Sequence, residues 1–277
     1  MEAGTDAAGR IFASVRTGVP GRDRDDDLVA RMSGSADDTS GSARRGGRRG
    51  TVSDEAGRGR STGHARTAHA LVALVVVVSL VVQLVLLLES GTDANTGDLQ
   101  AEVPVGTRLV RLFSYFTIQS NLIVLAASVT LALDPRRDGR VWRVLRLDAL
   151  LGITITGLVY WTLLAPVVDL HGAALASGLG FHLVSPVATF VVWWRFGPRP
   201  RVRWSTVAWA FAWPLAWVAY TVVHGAATGW YPYPFLDVAA VGYARALAAT
   251  AVVLVLGLLV ALALKRFDRR RPVRWAG

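Results

Sequence analysis

The chain has 277 residues and a formal charge of +10, and its basic side chains are almost all arginine, with Lys265 the only lysine. It has no cysteine, which excludes disulfides, thiolate nucleophiles and thiolate-held metals. A charge of this size in a soluble protein would raise nucleic acid as a partner. Here the arginines sit mainly in short segments between long apolar runs, so no nucleic-acid partner is expected and the charge reads as a topology signal.

Residues 1–66 carry twelve Arg against ten Asp and Glu, with no periodic apolar pattern. Such a segment buries too little apolar surface to offset the entropy of ordering, and we read it as a disordered, Arg/Gly/Ser-rich cytoplasmic tail. No apolar stretch follows Met1, so it is not read as a signal peptide, and Met32 offers a second translation start within it. The clusters Arg44-Arg45 and Arg48-Arg49 fit either a solvated tail that helps fix orientation or a contact with anionic headgroups.

Six apolar stretches follow, at about 67–88, 112–133, 148–168, 173–194, 204–224 and 239–264. Each reaches the ~20 residues that a helix needs to cross a hydrocarbon core. Only a helix satisfies the backbone polar groups of such a segment internally, and none of the runs shows the polar face of a soluble bundle. The expectation is an all-α fold, an integral membrane six-helix bundle over residues 67–265, followed by a basic cytoplasmic tail at 266–277.

The loops set its orientation. Arg136, Arg137, Arg140, Arg143 and Arg146 follow the second stretch; Arg195, Arg199, Arg201 and Arg203 follow the fourth; Lys265, Arg266 and Arg269 to Arg271 follow the sixth. The remaining loops carry only Arg108 and Arg111, beside six acidic residues. Short cytoplasmic loops are enriched in Lys and Arg, so both termini are expected in the cytoplasm and the bundle in the cell membrane.

Polar groups within spans are costly and mark either helix–helix glue or function. At about 1.5 Å per residue, Ser114, Thr117, Asn121, His182, His224 and Arg245 all fall in the outer half of the bilayer. Ser114, Thr117 and Asn121 follow i, i+3, i+7 spacing, which puts them on one helical face. Convergence of these groups on one cavity is the main argument for a site. Each has a structural alternative. Ser and Thr bond back to the preceding turn, and His182 and His224 fit a structural hydrogen bond or solvation. Arg245 fits snorkelling or pairing with Asp237. Trp230, Tyr231 and Tyr233 read as interfacial belt residues. The sequence has no phosphate-binding glycine loop, no HExxH and no carboxylate pair within the spans, so neither metal nor cofactor is expected.

Three segments resemble one family together: LFSYFTIQSN at Leu112–Asn121, FHLVSP at Phe181–Pro186, and HGAATGWYPYPFLD at His224–Asp237. They resemble the androgen-induced proteins of animals, an intramembrane threonine hydrolase family, and its bacterial six-span membrane-protein relatives. The resemblance covers about residues 67–265. It implies hydrolysis of fatty acyl esters by a nucleophile early in the second span and a histidine in the fourth. Carried over, the nucleophile position looks most like Ser114, with Thr117 as the alternative, and the histidine is His182. The chain departs from the pattern in having serine for threonine and one residue fewer between His182 and Pro186. Asn121, His224 or Arg245 would bind substrate or steady an oxyanion. Membrane lipids are the expected partners. A non-catalytic protein that binds or moves a lipid or small amphiphile, and a scaffold with polar glue alone, are the other readings of the same residues.

Overall fold

The computed structural model describes the backbone of residues 43–270 and the side chains of residues 62–270. The expectations for the start of the tail, for Met32 and for the end of the C-terminal tail lie outside the described residues. Of the two compact units of the chain, Met1–Arg49 and Gly50–Gly277, every packing contact described below lies within the second. The described residues are mainly helical, with an isolated strand-like bridge between Thr92 and Leu99 in the loop after the first helix.

Six helical rods are long and apolar enough to span a bilayer: Thr62–Glu89, Phe116–Leu133, Arg140–Val167, Gly172–Phe196, Trp204–Thr228 and Tyr243–Arg270. The protein is a multi-pass, all-α membrane bundle. The first rod belongs to α1, Ala43–Glu89, so its helix reaches back into the segment read as a tail. The second comprises α2, Val105–Ser114, and α3, Phe116–Leu133. The third is α4, Arg140–Val159, continued by a π-helical turn at Tyr160–Leu164 and a 3-10 turn. The fourth is α5, Gly172–Leu179, a π-helical turn at Gly180–Val184, and α6, Ser185–Phe196. The fifth is α7, Trp204–Ala210, and α8, Ala212–Thr228. A short α9, Val238–Val241, precedes α10, Tyr243–Arg270.

The outer surface of the rods exposes large apolar side chains such as Leu71, Val78, Val81, Val252 and Leu259. A surface of that kind needs lipid around it. Because lipid is as apolar as leucine, the bundle is held by close packing and interhelical hydrogen bonds instead of burial alone. α4 is the central rod and packs against α3, α6, α7 and α10. Leu147, Leu151, Trp193, Val207 and Leu264 form its core toward the arginine-rich end. Leu112, Tyr115, Ile118, Tyr160, Phe181, Trp217 and Tyr233 form the core at the arginine-poor end.

Both ends are tied by buried polar groups. At the arginine-rich end Asp268 accepts the backbone N–H groups of Arg201 and Val202 at 2.6 and 2.8 Å, so the loop after span four is pinned to α10. At the other end Asp93 accepts from the Tyr115 hydroxyl at 2.8 Å, from Gln100 Nε2 at 3.0 Å and from the Asn95 amide at 2.9 Å. That cluster fixes the loop after α1 over the point where the second rod is interrupted.

Candidate active site

The second span is not one continuous helix. α2 ends at Ser114, Tyr115 is extended at φ −67° and ψ 130°, and α3 restarts at Phe116. An interruption inside a membrane bundle leaves backbone groups that protein must satisfy. Here the Trp217 indole donates to Ser114 O at 2.9 Å and Gln119 Nε2 donates to Phe113 O at 3.0 Å. Gln119 is itself held by the Trp213 indole at 3.0 Å, and Tyr115 is tethered to Asp93. The restart places Thr117 in the first turn of α3, where helix N–H groups lack partners within the helix and the dipole favours negative charge.

His182 reaches this turn from the fourth span. It lies within the π-helical turn Gly180–Val184, and such turns shift the backbone ladder by one residue and recur at functional sites. A Cβ on Gly180 would overlap the Ser79 hydroxyl, so glycine lets the widened turn sit against α1. The His182 Nδ1 lies 2.9 Å from Gly178 O. A carbonyl oxygen only accepts, so Nδ1 carries the proton, and in the neutral ring Nε2 is left with its lone pair. That nitrogen faces Thr117 Oγ1 at 3.3 Å. The imidazole is 1% exposed and stacks on Tyr160 with ring centroids 3.8 Å apart and planes 16° apart. Tyr160 opens the π-helical turn of span three, so the two irregular turns hold each other. The Trp161 indole donates to His182 O at 3.1 Å, and Asn121 Nδ2 donates to Thr117 O at 2.9 Å and Phe181 O at 3.4 Å.

A third group arrives from the loop between spans five and six. Tyr231 lies against Gly225, where a Cβ would overlap its ring, and this close approach turns the loop inward. The Tyr233 hydroxyl oxygen then accepts the Thr117 N–H at 3.2 Å and lies 3.2 Å from Thr117 Oγ1. Burial pushes the Tyr233 phenol above its ordinary value, against the opposing hydrogen bonds of Thr117, so the group stays protonated and able to donate. With Thr117 donating to Nε2, the remaining role for the Tyr233 hydroxyl in its 3.2 Å contact with Thr117 Oγ1 is that of donor.

Thr117 and Tyr233 line a narrow apolar cavity of about 120 Å³ between spans three, five and six. The cavity lining runs along α10 from Tyr243 to Gly257, roughly 20 Å at about 1.5 Å per residue. Val222, Tyr243 and Leu247 line it and are also exposed on the outer face, so it opens sideways between α8 and α10.

The residues singled out in the sequence divide into two groups. Thr117, His182 and Asn121 come together. Ser114 does not meet the imidazole: its hydroxyl bonds back to Val110 O at 2.7 Å and to the Tyr220 hydroxyl at 2.6 Å. The i, i+3 spacing with Thr117 carries no shared face once the helix breaks between them. His224 stacks on Tyr220 with centroids 5.3 Å apart and is remote from the Thr117 cluster in its contacts. Arg245 is exposed and makes neither hydrogen bond nor ion pair among the described residues. Asp237, offered as its partner, instead caps α9 by accepting from Ala239 and Ala240. Sequence reasoning passed over Tyr233, read as a belt residue, and Tyr160. The Tyr-Pro-Tyr-Pro run at 231–234 was the available signal, because two prolines around one tyrosine fix where its ring points. No cluster of His, Asp and Glu suited to a metal occurs among the described residues. Compared with protein-family models, with curated proteins and with solved structures, the chain matches none.

Proposed function

We propose that this membrane protein is an intramembrane hydrolase of lipid acyl esters, with Thr117 as nucleophile and His182 as general base. The observation that carries the reading is the Thr117 Oγ1 to His182 Nε2 contact at 3.3 Å, with the tautomer set by Gly178 O, at the head of an apolar cavity. Hydroxyl, base and an orienting acceptor in line are the parts that acyl transfer needs. The resemblance to the androgen-induced family agrees with this chemistry and supplies the acyl-ester class.

Thr117 Oγ1 attacks the ester carbonyl carbon as its proton passes to His182 Nε2. The carbonyl oxygen becomes an oxyanion at the start of α3, where the helix dipole favours negative charge and the Tyr233 hydroxyl, 3.2 Å from Thr117 Oγ1, can turn to donate to it. Collapse breaks the bond to the alcohol oxygen, which takes the proton from Nε2, and leaves an ester on Thr117. Water then attacks the acyl carbon as its proton passes to Nε2; the bond to Thr117 Oγ1 breaks, Oγ1 takes that proton back, and the acid is released. The acyl chain occupies the cavity and enters between α8 and α10. We place the protein in the cell membrane with both termini in the cytoplasm, which follows the arginine asymmetry of the loops and puts the site in the outer half of the bilayer.

A fluorophosphonate probe tests the reading. The purified wild type labels, Ser114→Ala labels equally, and Thr117→Ala and His182→Ala do not. Equal labelling of all four proteins, or none of the wild type, removes catalysis. The second reading, passive binding of a lipid or small amphiphile, rests on the cavity alone. It predicts co-purifying lipid with no covalent labelling.

A further inference from the structure

A second recess lies at the opposite, arginine-rich end, between the start of α4 and the fifth span. It holds about 620 Å³ and is lined by Arg140, Arg143, Asp148, Arg203, Trp209 and Trp213 among others. Arg143 is engaged by Asp138 at 2.7 Å. Arg140 and Arg203 are exposed, and neither guanidinium makes an ion pair or hydrogen bond among the described residues. The mouth of the recess therefore presents two unoccupied guanidinium groups where the bundle meets water.

Its floor is different. Asp148 is 5% exposed, and its Oδ1 is buried without a hydrogen-bond partner. No arginine of the recess forms an ion pair with it among the described residues. An unpartnered carboxyl at that depth is costly unless a donor is supplied. Asp148 is two helical turns beyond Arg140 on α4, roughly 12 Å deeper at about 1.5 Å per residue. Val144, Trp209 and Ala212 supply an apolar wall along the same recess, and Trp209 is 69% exposed.

From mouth to floor, the recess offers guanidinium groups, then an acceptor without a donor, beside an apolar wall. We infer that this recess binds a monoacyl phospholipid, with the phosphate on Arg140 and Arg203, the free glycerol hydroxyl donating to Asp148, and the single chain along Trp209. Guanidinium groups match phosphate oxygens. A diacyl phospholipid meets the arginines equally but has no hydroxyl on its glycerol, and it leaves Asp148 unsatisfied. The inference is independent of the hydrolase reading, because it uses none of the same side chains.

The test uses the full chain in detergent, with lysophosphatidylcholine and diacyl phosphatidylcholine carrying brominated chains, read by tryptophan quenching. The wild type is expected to bind the monoacyl lipid at least about tenfold more tightly, and Trp209→Phe is expected to lose much of the quenching. Asp148→Ala is expected to abolish the preference while diacyl binding stays unchanged. Arg140→Gln with Arg203→Gln, both on the surface, is expected to weaken the two lipids alike. Equal affinity of the wild type for the two lipids overturns the inference without any variant. A preference that survives in Asp148→Ala, or quenching that is unchanged in Trp209→Phe, also overturns it. Neither outcome bears on labelling at Thr117, so the two proposals fail separately.

Discussion

At the scale of single residues, the proposed chemistry rests on which hydroxyl meets His182. Depth along a span is legible in sequence, because rise per residue is fixed, and it places both Ser114 and Thr117 near the imidazole. Rotation about the helix axis is not legible here. It depends on one extended residue, Tyr115, and on indole donors about a hundred positions away in the chain. Thr117→Ser is expected to retain ester turnover, whereas Thr117→Ala loses at least about a thousandfold, checked by hydrolysis of a chromogenic acyl ester. Under the proposed mechanism Tyr233→Phe removes a hydroxyl 3.2 Å from Thr117 Oγ1 and is expected to cost on the order of a hundredfold in kcat, with KM little changed. If Tyr233 only packs, kcat stays put and thermal stability alone falls.

At the scale of elements, the irregularities are where function was hardest to foresee. Apolar runs show that a helix crosses the membrane, but a break, a π-helical turn and a 3-10 turn all keep the same hydropathy. Their causes are tertiary. Trp217 capping Ser114 O sustains the break, so Trp217→Phe is expected to destabilise the protein by about 1–3 kcal/mol, the cost of an unsatisfied buried carbonyl, measured by thermal unfolding in detergent. Gly180 accommodates Ser79. Gly180→Ala is expected to lower Tm, and Ser79→Ala in the same chain to restore part of the loss. If the two changes add independently, the close approach of α1 to the π-helical turn is not what holds His182.

At the scale of the whole molecule, the two ends of the bundle are held by different forces. The arginine-rich end is an electrostatic clasp: Asp138 is held down to about 2, first by its hydrogen bond from Arg143. Its folded value lies below the ordinary carboxyl value near 4, so its stabilising contribution is complete above that range and disappears as pH falls toward 2. Asp138→Asn is therefore expected to lower Tm at neutral pH and to match the wild type near pH 2. The pair is partly exposed, so the difference is small and shrinks with salt. At the other end, Leu247→Trp at the cavity mouth is expected to slow long-chain esters more than short ones.

The side opening between α8 and α10 carries a consequence for the bilayer itself. Under the proposed hydrolysis, Thr117 and His182 lie toward one end of the rods, so a sealed vesicle containing the protein in a single orientation would expose only one monolayer to chemistry. Hydrolysis would proceed until that monolayer is exhausted, near half of the total ester. It would then continue only as fast as lipids cross from the opposite face, so the protein would act as a generator of transverse lipid asymmetry.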